Sequence, residues 1–324
     1  MKNQKKIFVL AESVLAALLL LLVARMFWEM NGESRYKVAI VIQNSDSSQW
    51  ASFQYGLKMA AQDQNIELSI PSTGGTLTVE EEKDLIEAEL ANGADAVIVQ
   101  PAPGEGAEEM LKLLEKKAPI MLAVCGGWPE GGISQLPVTG SDNYGLGKAL
   151  AEELLRDYGG SMEGKTFGIL SEQGSLQGTA SRERGVREAL EKKGAAARWS
   201  VSGFFAEDGS HSLKLLPEVD VVVALDDSSL VAAGEYAASK DLHGALVYGI
   251  GHSTEAAYYL DTDMVQCLVV PDGFQMGYQC LTELAGSLGH YFRGIKGQEV
   301  PYTVLRRETL FSEENQKLLF TMSQ

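Results

Sequence analysis

Gln43, Asn44, Ser45, Asp46, Ser47, Ser48 and Gln49 follow one another without interruption, and Trp50 closes the run. Hydroxyls and amides both donate and accept hydrogen bonds, and a carboxylate accepts only. The face of an indole packs well against apolar C–H groups. A plain turn needs about two to four such residues and no Trp. Comparable polar groups recur at Gln100 in "QPAPGEG", in "CGGW" from Cys125, at Asp226 in "DDSS" and at His252 in "GHST". Brought together, Asp46, Ser47, Gln49, Trp50, Gln100, Asp226 and His252 would line a cleft for a polar ligand with one apolar face, which describes a sugar.

Catalytic constellations are absent from the sequence. "GGSMEGKT", residues 159 to 166, fits a phosphate-binding loop pattern, but that chemistry needs a strand before the loop and a helix after it. Here a helical pattern, "ALAEELLRDYGG", comes first and a strand-like run, "TFGIL", comes second. His211, His243, His252 and His290 have no metal-ligand spacing, and no nucleophile elbow or paired-histidine zinc motif is present. The expectation is a binding protein without cofactor or metal, and not an enzyme.

The elements that must position these groups alternate. Strand-like runs occupy 37–42, 66–70, 94–100, 119–124, 166–170, 219–225, 245–250 and 265–270. Between them lie amphipathic segments such as "VEEEKDLIEAELANG" and "SRERGVREALEKKG", each ending in a glycine suited to a helix C-terminus. Strands buried on both faces and separated by helices predict an α/β fold with doubly wound parallel sheets. The 324 residues provide enough units for two such sheets. Ligands of open parallel sheets bind beyond the carboxyl ends of the strands, where the polar clusters fall.

The formal net charge is −17; residues 1–36 carry five basic and three acidic groups, so the remainder carries −19. An acidic body repels phosphate backbones and argues against nucleic-acid partners. Cys125, Cys267 and Cys280 show no paired spacing and read as reduced core thiols. Lys2, Lys5 and Lys6 precede the apolar run 7–28, which as a helix would be about 33 Å long and would cross a bilayer. The flanking lysines place the N-terminus in the cytoplasm and the body outside. No small-residue cleavage site follows the run, so a retained single-pass anchor in the cell membrane is expected.

Four further stretches carry a resemblance. "DAVIVQPA", "SDNYGLGKALAEEL" from Ser141, "GTASRERGVREAL" from Gly178 and "PDGFQMGYQCL" from Pro271 are similar to motifs of the periplasmic-binding-protein-like type I superfamily, in its ribose-type sugar-binding branch. The resemblance covers Lys37 to about Thr309. It implies two lobes joined by a hinge of three crossovers, the first 37–140 plus 271–299 and the second 141–270 plus 300–324. By the same resemblance Trp50 stacks on a sugar ring and Arg182 binds the ligand, while Asp142 caps a helix. Asp226 stands where the family has Asn. Gly251 and Pro271 replace a ligand-binding Asp and Gln of the family, so the ligand should differ from ribose. The function implied is the substrate receptor of an ABC-type importer, with a membrane permease as partner. The alternative is a tethered sugar sensor acting on a two-component histidine kinase.

Overall fold

A computed structural model describes residues 18, 19, 21, 36–47, 50–124, 136–172, 178–203, 213–288, 294–313 and 315–316. The apolar N-terminal run lies outside these residues except for Leu18, Leu19 and Leu21. No described helix is long and apolar enough to cross a membrane.

The first part of the chain is β1 (Tyr36–Val41), α1 (Ala51–Gln64), β2 (Ile66–Ser69), α2 (Val79–Ala91), β3 (Ala96–Val99), α3 (Ala107–Glu115), β4 (Ile120–Val124) and β5 (Val138–Ser141). Then come α4 (Asn143–Asp157), β6 (Thr166–Glu172), α5 (Gly178–Glu191), β7 (Ala196–Gly203), β8 (Val221–Ala224), α6 (Asp227–Ala238), β9 (Leu246–Ile250), α7 (Thr254–Asp261) and β10 (Cys267–Pro271). The chain ends with α8 (Gly273–Leu288), β11 (Glu299–Val300) and β12 (Tyr302–Leu305). Two six-stranded sheets result, ordered β11-β5-β4-β3-β1-β2 and β12-β10-β9-β8-β6-β7. Every pairing is parallel except that of β12 with β10.

The sheets form because their strands are apolar on both faces. Successive residues of β1 point to opposite sides. Val38 and Ile40 enter the core under α1 and α8, and Ala39 and Val41 enter the core under α2 and α3. Each fully buried Val or Ile contributes about 1.5–3 kcal/mol. The second sheet repeats this plan: Phe167 and Ile169 face α4 and α5, and Leu170 faces α6 and α7. The chain passes between the sheets at Ser141–Asp142, Pro271–Asp272 and Pro301. The first two passages leave from the carboxyl ends of β5 and β10. The carboxyl ends of both parallel sets therefore adjoin the same junction.

Four strands differ from the sequence reading. β5 precedes the Ser-Asp-Asn motif and shares only Ser141 with it, and β11 and β12 follow the last predicted run. β7 is an edge strand whose residues alternate between exposed and half-buried, so it lacks the apolar run of a central strand. The 159–166 stretch follows α4 and leads into β6. Lys165 Nζ lies 2.8 Å from Asp220 Oδ1, and the Thr166 N–H donates to Asp220 Oδ2 at 2.8 Å, so these residues tie β6 to β8. Cys267 and Cys280 are buried and form no disulfide; Cys125 lies outside the described residues.

One packing device is common to both halves. A Cβ on Gly56 would strike the Phe274 carbonyl, and one on Gly277 the Phe53 carbonyl. A Cβ on Gly147 would strike the Arg182 carbonyl, and one on Gly185 the Tyr144 carbonyl. Glycine thus lets α1 approach α8, and α4 approach α5, backbone to backbone. Gly147→Val should displace the start of α5 and lower stability by about 1–3 kcal/mol, as overpacking does. Urea unfolding measures this, and an unchanged midpoint would contradict the close approach.

Candidate functional site

At the end of the first sheet the chain leaves β1 through Gln43, whose N–H donates to Gln100 Oε1 at 3.0 Å and whose Nε2 donates to the Pro101 carbonyl at 3.3 Å. Gln100 is thereby fixed, buried, at the end of β3. Asn44 takes the left-handed conformation, φ 46°, which Asn tolerates better than most residues. The Ser45 N–H donates to Thr73 Oγ1 at 3.0 Å, and Ser72 Oγ donates to Asp46 Oδ2 at 2.6 Å. Asp46 is exposed and Ser47 half-buried; Gln49 lies outside the described residues.

Trp50 corrects the sequence reading. It is only 3% exposed and belongs to the core beneath α1. Its Nε1–H donates to the Gln43 carbonyl at 2.9 Å, and its ring meets Phe53 edge-on at 5.4 Å between centroids. A buried indole needs a partner for its N–H, and Gln43 supplies one. Trp50 therefore supports the wall from behind and presents no open stacking face.

At the end of the second sheet the dominant group is Arg182, 8% exposed. Its Nε donates to Asn143 Oδ1 at 2.7 Å and its Nη1 to the Leu225 carbonyl at 2.7 Å. Asn143 in turn donates from Nδ2 to the Ser141 carbonyl at 3.0 Å. The adjoining Asp142 caps α4 by accepting the Gly145 N–H at 2.9 Å. The Ser-Asp-Asn motif thus starts the helix and aims the arginine.

Asp226 accepts the Ser229 N–H at 2.9 Å on Oδ1 and the Glu172 N–H at 2.8 Å on Oδ2. It closes the first turn of α6 and ties it to the end of β6. Asp227 holds the next loop: its Oδ1 accepts the His252 N–H at 2.6 Å and the Ser253 N–H at 2.9 Å. A Cβ on Gly251 would stand 2.7 Å from that same oxygen. The carboxylate of Asp227 therefore fills the space beside Gly251, and an Asp at 251 would meet both a collision and a like charge. His252 is half-buried at the rim.

Glu172, Asp227 and Asn143 were not singled out from the sequence. Glu172 is the last residue of β6, separated from the apolar run 166–170 by Ser171, close to the signal that marked the other strand ends. Burial raises its carboxyl above the usual range, the Asp226 and Asp227 charges push the same way, and a hydrogen bond from Ser228 opposes them. The two strand-end sets offer a surplus of acceptors and one fixed guanidinium. That arrangement suits a ligand rich in hydroxyl or amine donors and opposes an anion.

Trp50→Ala should act on the fold: removing a buried indole costs about 3–5 kcal/mol. Chemical denaturation tests this, and a stability within 1 kcal/mol of the wild type (about a fivefold change in the unfolding constant) would return Trp50 to the surface of the site.

The chain matches the family model described as a periplasmic binding protein domain over residues 38–289. No curated protein matches it. Among similar solved structures, a glucose-galactose binding protein from Geobacillus stearothermophilus is 18% identical with a TM-score of 0.72, covering 86% of this chain and 99% of that one. A periplasmic sugar binding protein of an ABC sugar transporter from Legionella pneumophila is 21% identical with a TM-score of 0.70, covering 82% and 100%. An ABC transporter solute binding protein from Agrobacterium vitis, bound with α-D-tagatopyranose, is 13% identical with a TM-score of 0.76, covering 88% and 99%. At these identities the likeness is one of fold. With 38–289 matched, two parallel sheets joined through three passages, and the Ser-Asp-Asn motif aiming Arg182, the chain belongs to the periplasmic binding protein domain family.

Proposed function

We propose that the chain is an extracytoplasmic receptor that closes on a small, hydroxyl-rich and non-anionic ligand of the sugar type. The observation that carries this reading is the pair of polar strand-end sets beside one junction, with Arg182 already held by Asn143 and Leu225. The lobes are 37–140 plus 271–299 and 141–270 plus 300–324, turning about the three passages. Asp46, Ser47, Gln49 and Gln100 contact the ligand from one side. Arg182, Asp226 and His252 contact it from the other, and Glu172 adds an acceptor. Closure follows because a ligand favours the state in which it touches both sides.

The apolar run 7–28 anchors the protein in the cell membrane with the body outside. The ligand is handed to the permease of an ABC-type importer; the three solved proteins above carry sugar-binding or ABC-transporter descriptions. An anchor that is kept also suits a tethered sensor whose closed state is read by a histidine kinase.

A thermal-shift screen of the full chain in detergent should find stabilisation by a neutral or amine-bearing sugar among D-galactose, D-arabinose, D-tagatose and D-glucosamine, and none by D-glucuronate. A ligand at about a hundred times its Kd adds about 2.7 kcal/mol. Arg182→Ala should weaken that binding by about 1.5–3 kcal/mol. Stabilisation by glucuronate alone, or by none of these sugars, contradicts the reading. Mass spectrometry of the membrane fraction should find residues 29–37 still joined to the anchor; a mature N-terminus between 24 and 37 contradicts the tether.

A further inference from the structure

Glu82 lies on α2 with its side chain wholly removed from solvent, 0% exposed. Its Oε2 accepts the Ala102 N–H at 2.6 Å. Its Oε1 is also buried and accepts no hydrogen bond from any described residue. A buried carboxylate with a single hydrogen bond and no cation is strongly unfavourable, and such a group keeps its proton instead. Burial pushes the Glu82 carboxyl up to about 8, against the opposing Ala102 N–H.

The charged groups around it are engaged elsewhere or turned outward. On α2, Glu80, Glu81, Lys83 and Asp84 are exposed, and Glu81 accepts from Thr78. From β1, Lys37 donates to the Asn92 carbonyl. From α3, Glu108 pairs with Lys112, and Glu109, like Glu105 in the preceding loop, is exposed.

The backbone that Glu82 holds is the β3–α3 loop, 100–106. This loop begins with Gln100, which receives the Gln43 N–H, and it contains Gly104 and Gly106 at φ +151° and +88°. We propose that Glu82 is a positioning residue for the first-sheet wall of the site: protonated, it stays buried and pins the β3–α3 loop through Ala102, whereas the carboxylate, although the stronger acceptor for that N–H, has no cation beside it among the described residues and leaves for water, which releases the wall. The effect on ligand affinity rests on the sugar-binding reading; the effect on the loop does not.

The sign follows from linkage. The folded group holds its proton more tightly than the ordinary value of 4.5. Its ionisation therefore withdraws no stability below that value. The penalty grows as pH rises from there to about 8 and is constant above.

The test is amide hydrogen exchange of the full chain in detergent at pH 6.5 and 9.0, corrected for intrinsic rates, on the wild type, Glu82→Gln and Glu82→Met. Between pH 6.5 and about 8 the penalty grows over about one and a half pH units, so protection of 100–106 in the wild type should fall about thirtyfold, while α5 is unchanged. Glu82→Gln keeps an acceptor for Ala102 and should be equally protected at both pH values. Glu82→Met has no acceptor and should be less protected, by the same factor at both. Equal pH responses in the wild type and both variants would overturn the inference. Affinity for whichever of D-galactose, D-arabinose and D-tagatose stabilises the wild type should fall with pH in parallel in the wild type and stay level in Glu82→Gln. If none of the three binds, the exchange comparison alone decides the role of Glu82, and the sugar reading fails only if D-glucosamine does not bind either.

Discussion

A guanidinium taken almost out of water must be met by acceptors on several sides, or the protein bears a penalty of several kcal/mol. Arg182 is such a group, and much of the second sheet is arranged to meet it. Leu225 offers its carbonyl because β8 has just ended and the strand no longer uses that oxygen. Asn143 offers Oδ1 because it opens α4 immediately after the passage from the first sheet. Both contacts require α5 to start hard against α4, which only glycines at 147 and 185 permit. One buried charge thus ties together a strand end, two helix starts and one of the three connections between the sheets.

The same logic orders the neighbouring loops. Asp226 and Asp227 each accept two backbone N–H groups, drawn from α6 and β6 in one case and from the β9–α7 loop in the other. Carboxylates do this well because charge-assisted hydrogen bonds are short and strong. Their charge also reaches Glu172. The result is a rigid acidic rim beside a fixed cation, and its departures from the ribose-type pattern are coupled: Gly251 can lack a side chain because Asp227 fills its place.

Much of this was legible in the sequence where a strand is buried on both faces. The runs that became β1, β3, β4, β6, β8, β9 and β10 each hold at least four consecutive residues without a polar side chain, counting glycine and tyrosine with the apolar ones. β7 escaped because an edge strand keeps polar residues on its open face, and β5 because its four residues, VTGS, include one apolar side chain and form no apolar run. The strand-end rule located Gln100, Asp226 and His252. It could not find the Asn143–Arg182 contact, whose partners are 39 positions apart and leave no periodic trace. Trp50 was misread because its polar neighbours suggested an open loop, whereas its N–H reaches back to Gln43 and draws the ring inward. Glu82 sits in a run of acidic residues that reads as a solvated helix face, and only the packing of the β3–α3 loop singles it out.

The central claim is that one ligand is held between the two strand-end sets, so that binding moves the sheets towards each other. The direct measurement is the distance between spin labels at Ser72 and Ser228, both exposed on opposite sides of the junction, with Cys125 replaced by Ser. Adding the sugar that stabilises the full chain should shorten this distance and narrow its distribution. A sugar that binds and leaves the distance unchanged would contradict the account.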